Sequence, residues 1–528
     1  MVMLSLALRE DYWETFELHE EDTEFLYNYL LETEMPLTPQ ELIGILVQER
    51  IKVEKQQIER QRSSGGVVYL PKEHYSVNQG LIFPALGWRK GKVVGVRIGS
   101  NPDIGEFDVI QVQFDSSDTR EFASGLEDHL LNNPPEILVS DNSLDAGYIL
   151  ENYQDDLIER LEQGLENNPD FVRIAGRWFP RALLVDINIG HLNLAEAVLD
   201  MAGGGPLPTT ALLEQVDVNA NVNPKLLEFS MDLALQDDGR FDEVGPAGQV
   251  LWFLQRLEPP EVLEPPLYLR YSGIDYERSA LTPEMLALER ELDDELSPFE
   301  DRAQSLQSVD VHLIYPHWRA GTLPLSSRLR NLFPTAYEAP RIRFTLIDGE
   351  SGVKFPAWVV RGKRYVFGLR EWYDKHNLQP GSVFSVLPGK KPGEVIVSAE
   401  GRRSGREWVR TVLVGSDGGV VFAMLKQTIA SHFDERMVIA IPETASLDRI
   451  WERMQKEKPP FERVVVNTVK ELAKLNPQGH VHASELYAAI NVVRRTPPGP
   501  LLALLASRPW FAHLGDLHFR FIDSERAT

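Results

Sequence analysis

The chain has 528 residues, which at roughly 100–200 residues per domain predicts about three to five domains. It contains no cysteine, so disulfides, thiol catalysis and metal sites built from thiolates are excluded. No stretch reaches the roughly 18 apolar residues of a membrane span, and the opening MVMLSLALRE lacks the basic start of a signal peptide. We therefore expect a large cytoplasmic protein without a membrane partner.

Charge is divided unevenly along the chain. Residues 1–310 carry 23 Lys and Arg against 58 Asp and Glu, a net charge of −35. Residues 311–528 carry 31 against 21, a net of +10, and residues 341–410 alone have a net of +7. Such segregation indicates that one half meets a polyanion or a partner surface. We expect the basic half to bind nucleic acid.

The first two predicted domains are a helical unit and a small barrel. Residues 1–66 contain helical apolar spacing and the capping box Thr38-Pro39-Gln40-Glu41, and they predict a helix-turn-helix-like unit whose second helix ends near Ser63. Residues 67–135 contain short β-type runs separated by turn residues, which predict an SH3-like barrel. The barrel has one basic cluster, at residues 88–92.

Residues 151–257 begin with an acidic helix and an aromatic hairpin, then continue with three apolar segments and a second hairpin. Helices followed by a hairpin predict a winged helix. Residues 258–310, with two Pro-Pro pairs and an acidic run, predict an extended linker followed by a solvated helix face or tether.

One short motif supports the winged helix at 171–257. It consists of Asp238, Arg240 and Phe241 before the hairpin and Trp252 and Leu254 in its last strand. This motif resembles the helix-turn-helix domain shared by the HARE-HTH proteins and the delta subunit of bacterial RNA polymerase. The resemblance implies a winged helix in a bacterial, transcription-related protein. Because the domain is acidic, protein is favoured over DNA as its ligand.

Residues 311–413 predict a basic, β-rich domain, followed at 414–456 by a small α/β addition with a helix near Ala423–His432. A short helix, then Leu378-Gln379-Pro380-Gly381 and a strand, resembles the DNA-binding pseudobarrels of the AbrB type and of the plant auxin-response type. The resemblance implies that this domain contacts DNA.

Basic side chains suited to phosphate contacts are interleaved here with the aromatic residues Tyr365, Phe367, Trp372 and Trp408. Core packing is the alternative for the aromatic residues, and a solvated face for the basic ones. The candidate nucleic-acid ligands are Arg361, Lys363, Arg364, Arg370, Lys390, Lys391, Arg402, Arg403, Arg406 and Arg410, with Arg494 and Arg495 further along the chain.

Residues 457–528 predict a second winged helix with a third helix at Leu501–Ala506. This helix is almost wholly apolar and offers no polar side chain to base edges. We therefore expect it to be buried or to face protein, with Arg494 and Arg495 contacting phosphate at most.

Enzyme motifs are missing from the sequence. It has no P-loop, no G-x-S-x-G elbow and no H-E-x-x-H. His480 and His482 could share a metal, but a turn at the start of a helix is the simpler interpretation. We expect a protein without catalytic activity, cofactor or metal.

The predicted fold class is multidomain α+β, with winged-helix or helix-turn-helix modules alternating with small β-barrels. The function predicted is DNA-associated regulation, with RNA polymerase as the expected protein partner. The alternatives are an interaction scaffold whose modules all bind protein, and a target-recognition subunit of a nuclease or modification system.

Overall fold

A computed structural model describes residues 12–63, 67–86, 89–101, 105–115, 118–132, 144–216, 218, 222–298, 307–391, 393–415 and 418–522. The protein is a mixed α+β structure with several separate sheets. It divides into two compact units, unit 1 (Met1–Leu184 with Asn223–Leu226) and unit 2 (Val185–Val222 with Leu227–Thr528).

Unit 1 opens with helices α1 (Glu20–Thr33) and α2 (Pro39–Ser63). The predicted capping box is confirmed, because Thr38 N–H donates to Glu41 Oε2 at 2.8 Å and Glu41 N–H donates to Thr38 Oγ1 at 3.3 Å. Helix α2 extends through Ser63, and residues 64–66 of its predicted stop lie outside the described residues.

A five-stranded sheet follows, and its strands lie in sequence order. They are β1 (Val67–Val68), β2 (Gly80–Phe83), β3 (Arg89–Asn101), β4 (Gly105–Asp115) and β5 (Asp118–Ser124). Its core is an aromatic cluster in which the Tyr69 and Phe83 rings stack 4.7 Å apart. Trp88 of the predicted basic cluster lies outside the described residues.

Unit 1 closes with α3 (Ala146–Glu166), β6 (Phe171–Ile174) and β7 (Arg177–Pro180). Leu37, between α1 and α2, exchanges two backbone hydrogen bonds with Trp178 of β7. Leu37, β7 and β6 therefore lie side by side, and α3 packs against α2. Residues 151–180 belong with α1 and α2, which corrects the predicted domain at 151–257. We call α1, Leu37, α2, α3, β6 and β7 module 1.

Unit 2 begins with module 2, apart from the start of its helix Pro224–Asp237, which is grouped with unit 1. The sheet of module 2 has the order β8-β10-β9. Its elements are α4 (Ile189–Met201), β8 (Leu207–Pro208), α5 (Thr209–Leu213), α6 (Pro224–Asp237), β9 (Phe241–Glu243) and β10 (Leu251–Leu254). Trp252 is fully buried, and its Nε1 donates to Asp232 Oδ1 at 2.9 Å. Arg240 pairs with Asp238 and with Glu196 of α4. The motif residues of the sequence therefore stabilise this module.

The segment predicted as a linker at 258–310 is folded in its described part. It contains α7 (Pro260–Leu263) and α8 (Pro283–Leu292), and Val262 and Leu269 are buried. The acidic run at 288–301 is not wholly solvated either, because Glu289, Asp294 and Glu295 are buried. The linker prediction was wrong because each Pro-Pro pair here precedes a short helical turn, and the carboxylates have partners in the interior.

A seven-stranded sheet follows with the order β11-β16-β17-β13-β14-β15-β12. Its strands and helices are β11 (Val309–His312), α9 (Tyr315–Ala320), β12 (Thr322–Pro324), β13 (Arg341–Asp348), β14 (Lys354–Val360), β15 (Tyr365–Phe367), α10 (Arg370–Lys375), β16 (Val383–Pro388) and β17 (Glu394–Ser398). The predicted order of short helix, Pro-Gly turn and strand is present as α10, Pro380-Gly381 and β16.

A long β-ribbon separates this sheet from the C-terminal module. It consists of β18 (Gly401–Val414) and β19 (Val420–Ser431); the short β20 (Ile439–Ala440) pairs with the other edge of β18, and α11 (Thr444–Glu457) follows. The predicted helix at Ala423–His432 was wrong, because this segment is strand β19, paired with β18 along its length. The predicted boundary at residue 413 likewise falls inside this ribbon.

Module 3 ends the chain, with the sheet order β21-β23-β22. Its elements are α12 (Phe461–Ala473), β21 (Val481–His482), α13 (Ala483–Asn491), α14 (Pro498–Ser507), β22 (Phe511–His513) and β23 (His518–Phe521). The prediction for the third helix is confirmed, because α14 is buried from Pro498 to Leu505. Modules 2 and 3 have the same element order and the same sheet order, and module 1 matches them if Leu37 is counted as its first strand.

Candidate nucleic-acid interface

Two of the twelve predicted ligands lie inside unit 2. Arg495 has no exposed side-chain surface and donates to Asp294 at 2.6 Å and Glu295 at 2.7 Å. Arg410 pairs with Glu485 at 2.8 Å and donates to the carbonyl of Glu435. The prediction that Arg410 contacts phosphate was wrong, because Glu485 and two backbone carbonyls occupy its guanidinium group. The terminal nitrogens of Arg495 are occupied by buried carboxylates, so this residue does not belong to an exposed nucleic-acid surface.

Three more arginines are partly exposed and hold backbone carbonyls. Arg361 donates to the carbonyl of Ala339 at 2.8 Å, and Arg364 donates to the carbonyl of Glu295 at 3.2 Å. Arg370 donates to the carbonyl of Arg319 and lies over the Trp318 ring. These side chains connect loops to the seven-stranded sheet and are poorly placed to bind a ligand.

The exposed candidates fall into two regions. Lys363 lies in the β14–β15 turn, and Lys390 and Lys391 lie in the β16–β17 turn. Since β13 is parallel to β17 and antiparallel to β14, both turns lie at the end of the sheet where β13 begins. Acidic residues reach the same end, because Arg341 at the start of β13 pairs with Asp242 and Glu258.

The second region is one face of the β18–β19 ribbon, at the end away from its turn. Cross-strand pairing places Arg406 opposite Thr428 and Trp408 opposite Lys426. We call the exposed residues of this side the ribbon face: Arg406, Trp408, Met424, Lys426 and Thr428. No carboxylate occupies a position of this face in the described part of the ribbon. Arg402 and Arg403 belong to the same strand, and their side chains lie outside the described residues.

Trp408 is the exposed aromatic residue among the four singled out in the sequence. Its side chain is 62% exposed, and Lys426 Nζ lies 5.4 Å from its ring centroid. Trp372 and Tyr365 are buried in apolar clusters of unit 2, and Phe367 packs against one of them. Core packing therefore accounts for those three residues but not for Trp408.

The third helix of each module is not presented as a basic surface. The outer face of α3 is acidic and carries the exposed residues Glu151, Asp155, Asp156, Glu159 and Glu166. Helix α6 buries Phe229, Met231 and Leu235, and α14 is almost wholly buried. Reading of DNA by these helices in the major groove would require exposed polar side chains facing the bases.

A buried polar network surrounds Arg495 and includes Asp294 and Glu295 of the acidic run. Glu295 also meets His317 at 3.1 Å, and Tyr487 donates to Asp294 at 2.5 Å. Burial raises the pKa of Asp294 above its usual range. At Glu295, burial acts in the same direction, but Arg495 and His317 outweigh it and hold the pKa below its usual range. The network fixes the loop after α8 to the end of α13.

Lys426 and Met424 were missed in the sequence because a helix was predicted there. Alternation along β19 was the signal that could have found them, since residues two apart in a strand share one face. Arg494 is half-buried, donates to the carbonyl of Pro459 at 2.9 Å and lies over the Phe461 ring.

His480 and His482, weighed as metal ligands, both lie beside His518, with ring centroids 4.8 and 4.9 Å away. Among the residues that the structure describes, no group of three or more His, Asp or Glu side chains is arranged to hold a metal ion. In the same described ranges, no helix has both the length and the apolar character needed to cross a membrane. Comparisons with protein-family models, curated proteins and solved structures found no match for this chain.

Proposed function

We propose that this protein binds DNA through the ribbon face of β18–β19. The observation that carries the proposal is the exposed Trp408 between Arg406 and Lys426, on a face where the described ribbon has no carboxylate. Cationic side chains neutralise phosphates, and an exposed aromatic ring can stack on a base. A two-stranded ribbon also has the width to enter a DNA groove.

The three modules support an association with DNA in a different way. An order of helix, strand, helix, helix and two strands, with the last strand in the middle of the sheet, is typical of winged helices. In our proposal they act as a framework and as protein-facing modules, because their third helices are acidic or buried. A regulatory role beside RNA polymerase, or target recognition in a nuclease or modification system, stays a prediction.

The test is a fluorescence-anisotropy titration of the full chain with duplex and single-stranded DNA over a range of salt concentrations. In the double variant Arg406→Ala with Lys426→Ala, two phosphate contacts are lost. We expect weaker binding to every sequence and a salt slope reduced by up to about two.

A matched control removes the same charge elsewhere. Lys52 on α2 and Lys72 after β1 are both exposed, so Lys52→Ala with Lys72→Ala lowers the net charge equally. The proposal predicts wild-type DNA affinity for this control. If both double variants weaken binding equally, net charge and not the ribbon face determines it, and the proposal fails.

A protein-binding scaffold is the second candidate, and one observation favours it. The outer edge of β19 has no strand partner among the described residues, and Val421 and Leu425 on this strand are exposed. An extended peptide could add a strand there. Such binding would depend weakly on salt, whereas phosphate binding falls steeply as salt rises.

A further inference from the structure

A small cavity with a cationic lining lies beside the end of α13, on elements other than the ribbon. Its volume is about 90 Å³, and Trp451 forms part of its apolar wall. We call it the arginine pocket, after the polar residues that line it: Arg270, Ser272, Gln455, Lys458, Arg494 and Arg495. No Asp or Glu is among the described residues of the lining.

Arg494 is a half-buried cation whose charge is not offset. Its contacts are the Pro459 carbonyl and the Phe461 ring, and no carboxylate lies within ion-pair distance among the described residues. Burial lowers the pKa of Arg494, and the nearby Tyr271 offsets this effect only in part. A cation withdrawn from water in this way favours an anionic ligand.

Arg495 lines the same cavity from the interior. Its terminal nitrogens are occupied by Asp294, Glu295, Asn491 and the carbonyl of Thr496. Its Nε–H is buried and has no acceptor in the described structure. A buried donor without a partner is rare in folded proteins and commonly marks a missing water or ion.

Lys458 and Arg270 add charge at the exposed side. Lys458 is exposed in the left-handed turn that ends α11, and no ion pair to it occurs among the described residues. Arg270 has Glu264 at 3.5 Å, but that carboxylate is 81% exposed and is not part of the lining. The pocket therefore combines three cations that lack a buried counter-charge with the neutral donors Ser272 and Gln455.

We infer that the arginine pocket binds a phosphoryl group. Its volume of about 90 Å³ has room for several water molecules, which is enough for one tetrahedral anion. Guanidinium groups donate two parallel hydrogen bonds to phosphate oxygens, and an ammonium adds a point charge. The inference does not rest on the DNA-binding proposal, because free phosphate can supply the same group.

Isothermal titration calorimetry of the full chain with inorganic phosphate, at ionic strength held constant with chloride, tests the site. We expect saturable binding to one site in the wild type. Lys458→Gln should weaken it about tenfold, the loss of one charge-assisted contact. Arg494→Lys keeps the charge but loses the paired donors, so it should weaken binding by a smaller factor.

Lys456→Gln is the matched control, since Lys456 is exposed on the same helix and does not line the pocket. It should bind phosphate as the wild type does. No saturable binding to the wild type, or equal binding by Lys458→Gln and Lys456→Gln, overturns the inference.

A second titration, with duplex DNA, separates the two sources of the phosphoryl group. If a DNA phosphate occupies the pocket, Lys458→Gln weakens DNA binding and inorganic phosphate competes with DNA. If free phosphate is the ligand, neither Lys458→Gln nor added inorganic phosphate changes the affinity for DNA. Calorimetry still detects saturable binding of phosphate to the wild type. The ribbon-face variants retain phosphate binding in both cases. Failure of the DNA-binding proposal can therefore be distinguished from failure of the phosphoryl-site inference.

Discussion

Arg495 connects two distant parts of unit 2 through its bonds to Asp294 and Glu295. Neither the guanidinium nor the carboxylate of Asp294 has any exposed surface. A buried ion pair gains little over an apolar core, but removal of one partner leaves an uncompensated buried charge. The stability of unit 2 should therefore depend strongly on this one cation.

Arg495→Met is expected to lower the free energy of unfolding of the full chain by about 3–5 kcal/mol. Urea unfolding followed by tryptophan fluorescence measures the change. Arg406→Met is the matched control, and because Arg406 is exposed it should change the free energy by less than about 0.5 kcal/mol. Similar values for the two variants would show that the buried network contributes nothing particular to stability.

His482 should make module 3 sensitive to acid. Burial, together with the charge of Arg436 and the proximity of His518, lowers the pKa of His482 to about 4, from 6.5. The folded state favours the neutral ring, so the contribution of this residue is complete above pH 6.5. As the pH falls from 6.5 to 4, the free energy of unfolding loses this contribution at about 1.4 kcal/mol per pH unit. The total loss is about 3 kcal/mol.

His482→Asn tests this pH dependence, because Asn can still cap α13, where the His482 side chain accepts from Ser484 N–H. Urea unfolding at pH 7 and pH 4.5 should show a smaller acid-induced loss in the variant than in the wild type. His513→Asn, at an exposed position, should lose as much as the wild type does. An equal loss in all three proteins contradicts the assignment.

Among the helices and strands, the sequence predicted correctly those features that depend on residues close together in the chain. The capping box before α2, the order of elements in module 3 and the buried α14 all followed from capping chemistry, turn residues and apolar spacing. The helix predicted over β19 was wrong because Ala423–His432 lacks turn residues and its strand partner lies on β18. The segment is a strand because it pairs with β18 across the hairpin.

At the candidate site, too, local sequence patterns did not show which residues meet in the folded chain. The exposure of lysines in turns could be predicted from the sequence. The sequence could not show that Arg406 is exposed whereas Arg410 is buried. Both lie on β18, and only the fold brings Glu485 to Arg410. Likewise, Asp294 and Arg495 are some 200 positions apart, so their pairing depends on tertiary structure alone.

Trp408 tests how the ribbon contacts DNA. Trp408→Ala should weaken binding of single-stranded DNA by about 1–3 kcal/mol, because one base loses its stacking partner. The effect on duplex DNA should be smaller, since paired bases are already stacked. Tyr337→Ala removes another exposed aromatic ring of unit 2 and should leave both affinities unchanged in the same anisotropy assay. An equal loss for duplex and single strand would exclude stacking.

At the scale of the whole molecule, the division of charge does not coincide with the division of structure. The charge changes sign near residue 310, whereas the units divide near residue 184. A cut at 310 would separate Asp294 and Glu295 from Arg495 and leave that buried cation without its two carboxylate partners. Residues 1–184 carry a net charge of −17, and residues 185–528 carry −8.

We expect a fragment of residues 185–528 to fold and to bind DNA with the affinity of the full chain. A fragment of residues 1–184 should not bind, because it lacks the ribbon face and its acidic surface repels phosphate. A fragment that starts at residue 311 should show loss of cooperative unfolding. Circular dichroism and anisotropy on the three fragments check these outcomes, and DNA binding by residues 1–184 alone would contradict them.

The most direct test of the central claim is hydrogen exchange of the full chain, measured by mass spectrometry with and without DNA. The account predicts slower exchange in peptides from β18 and β19 when DNA is bound, and unchanged exchange in α3, α6 and α14. Protection confined to those third helices, with no change in the ribbon, would contradict it.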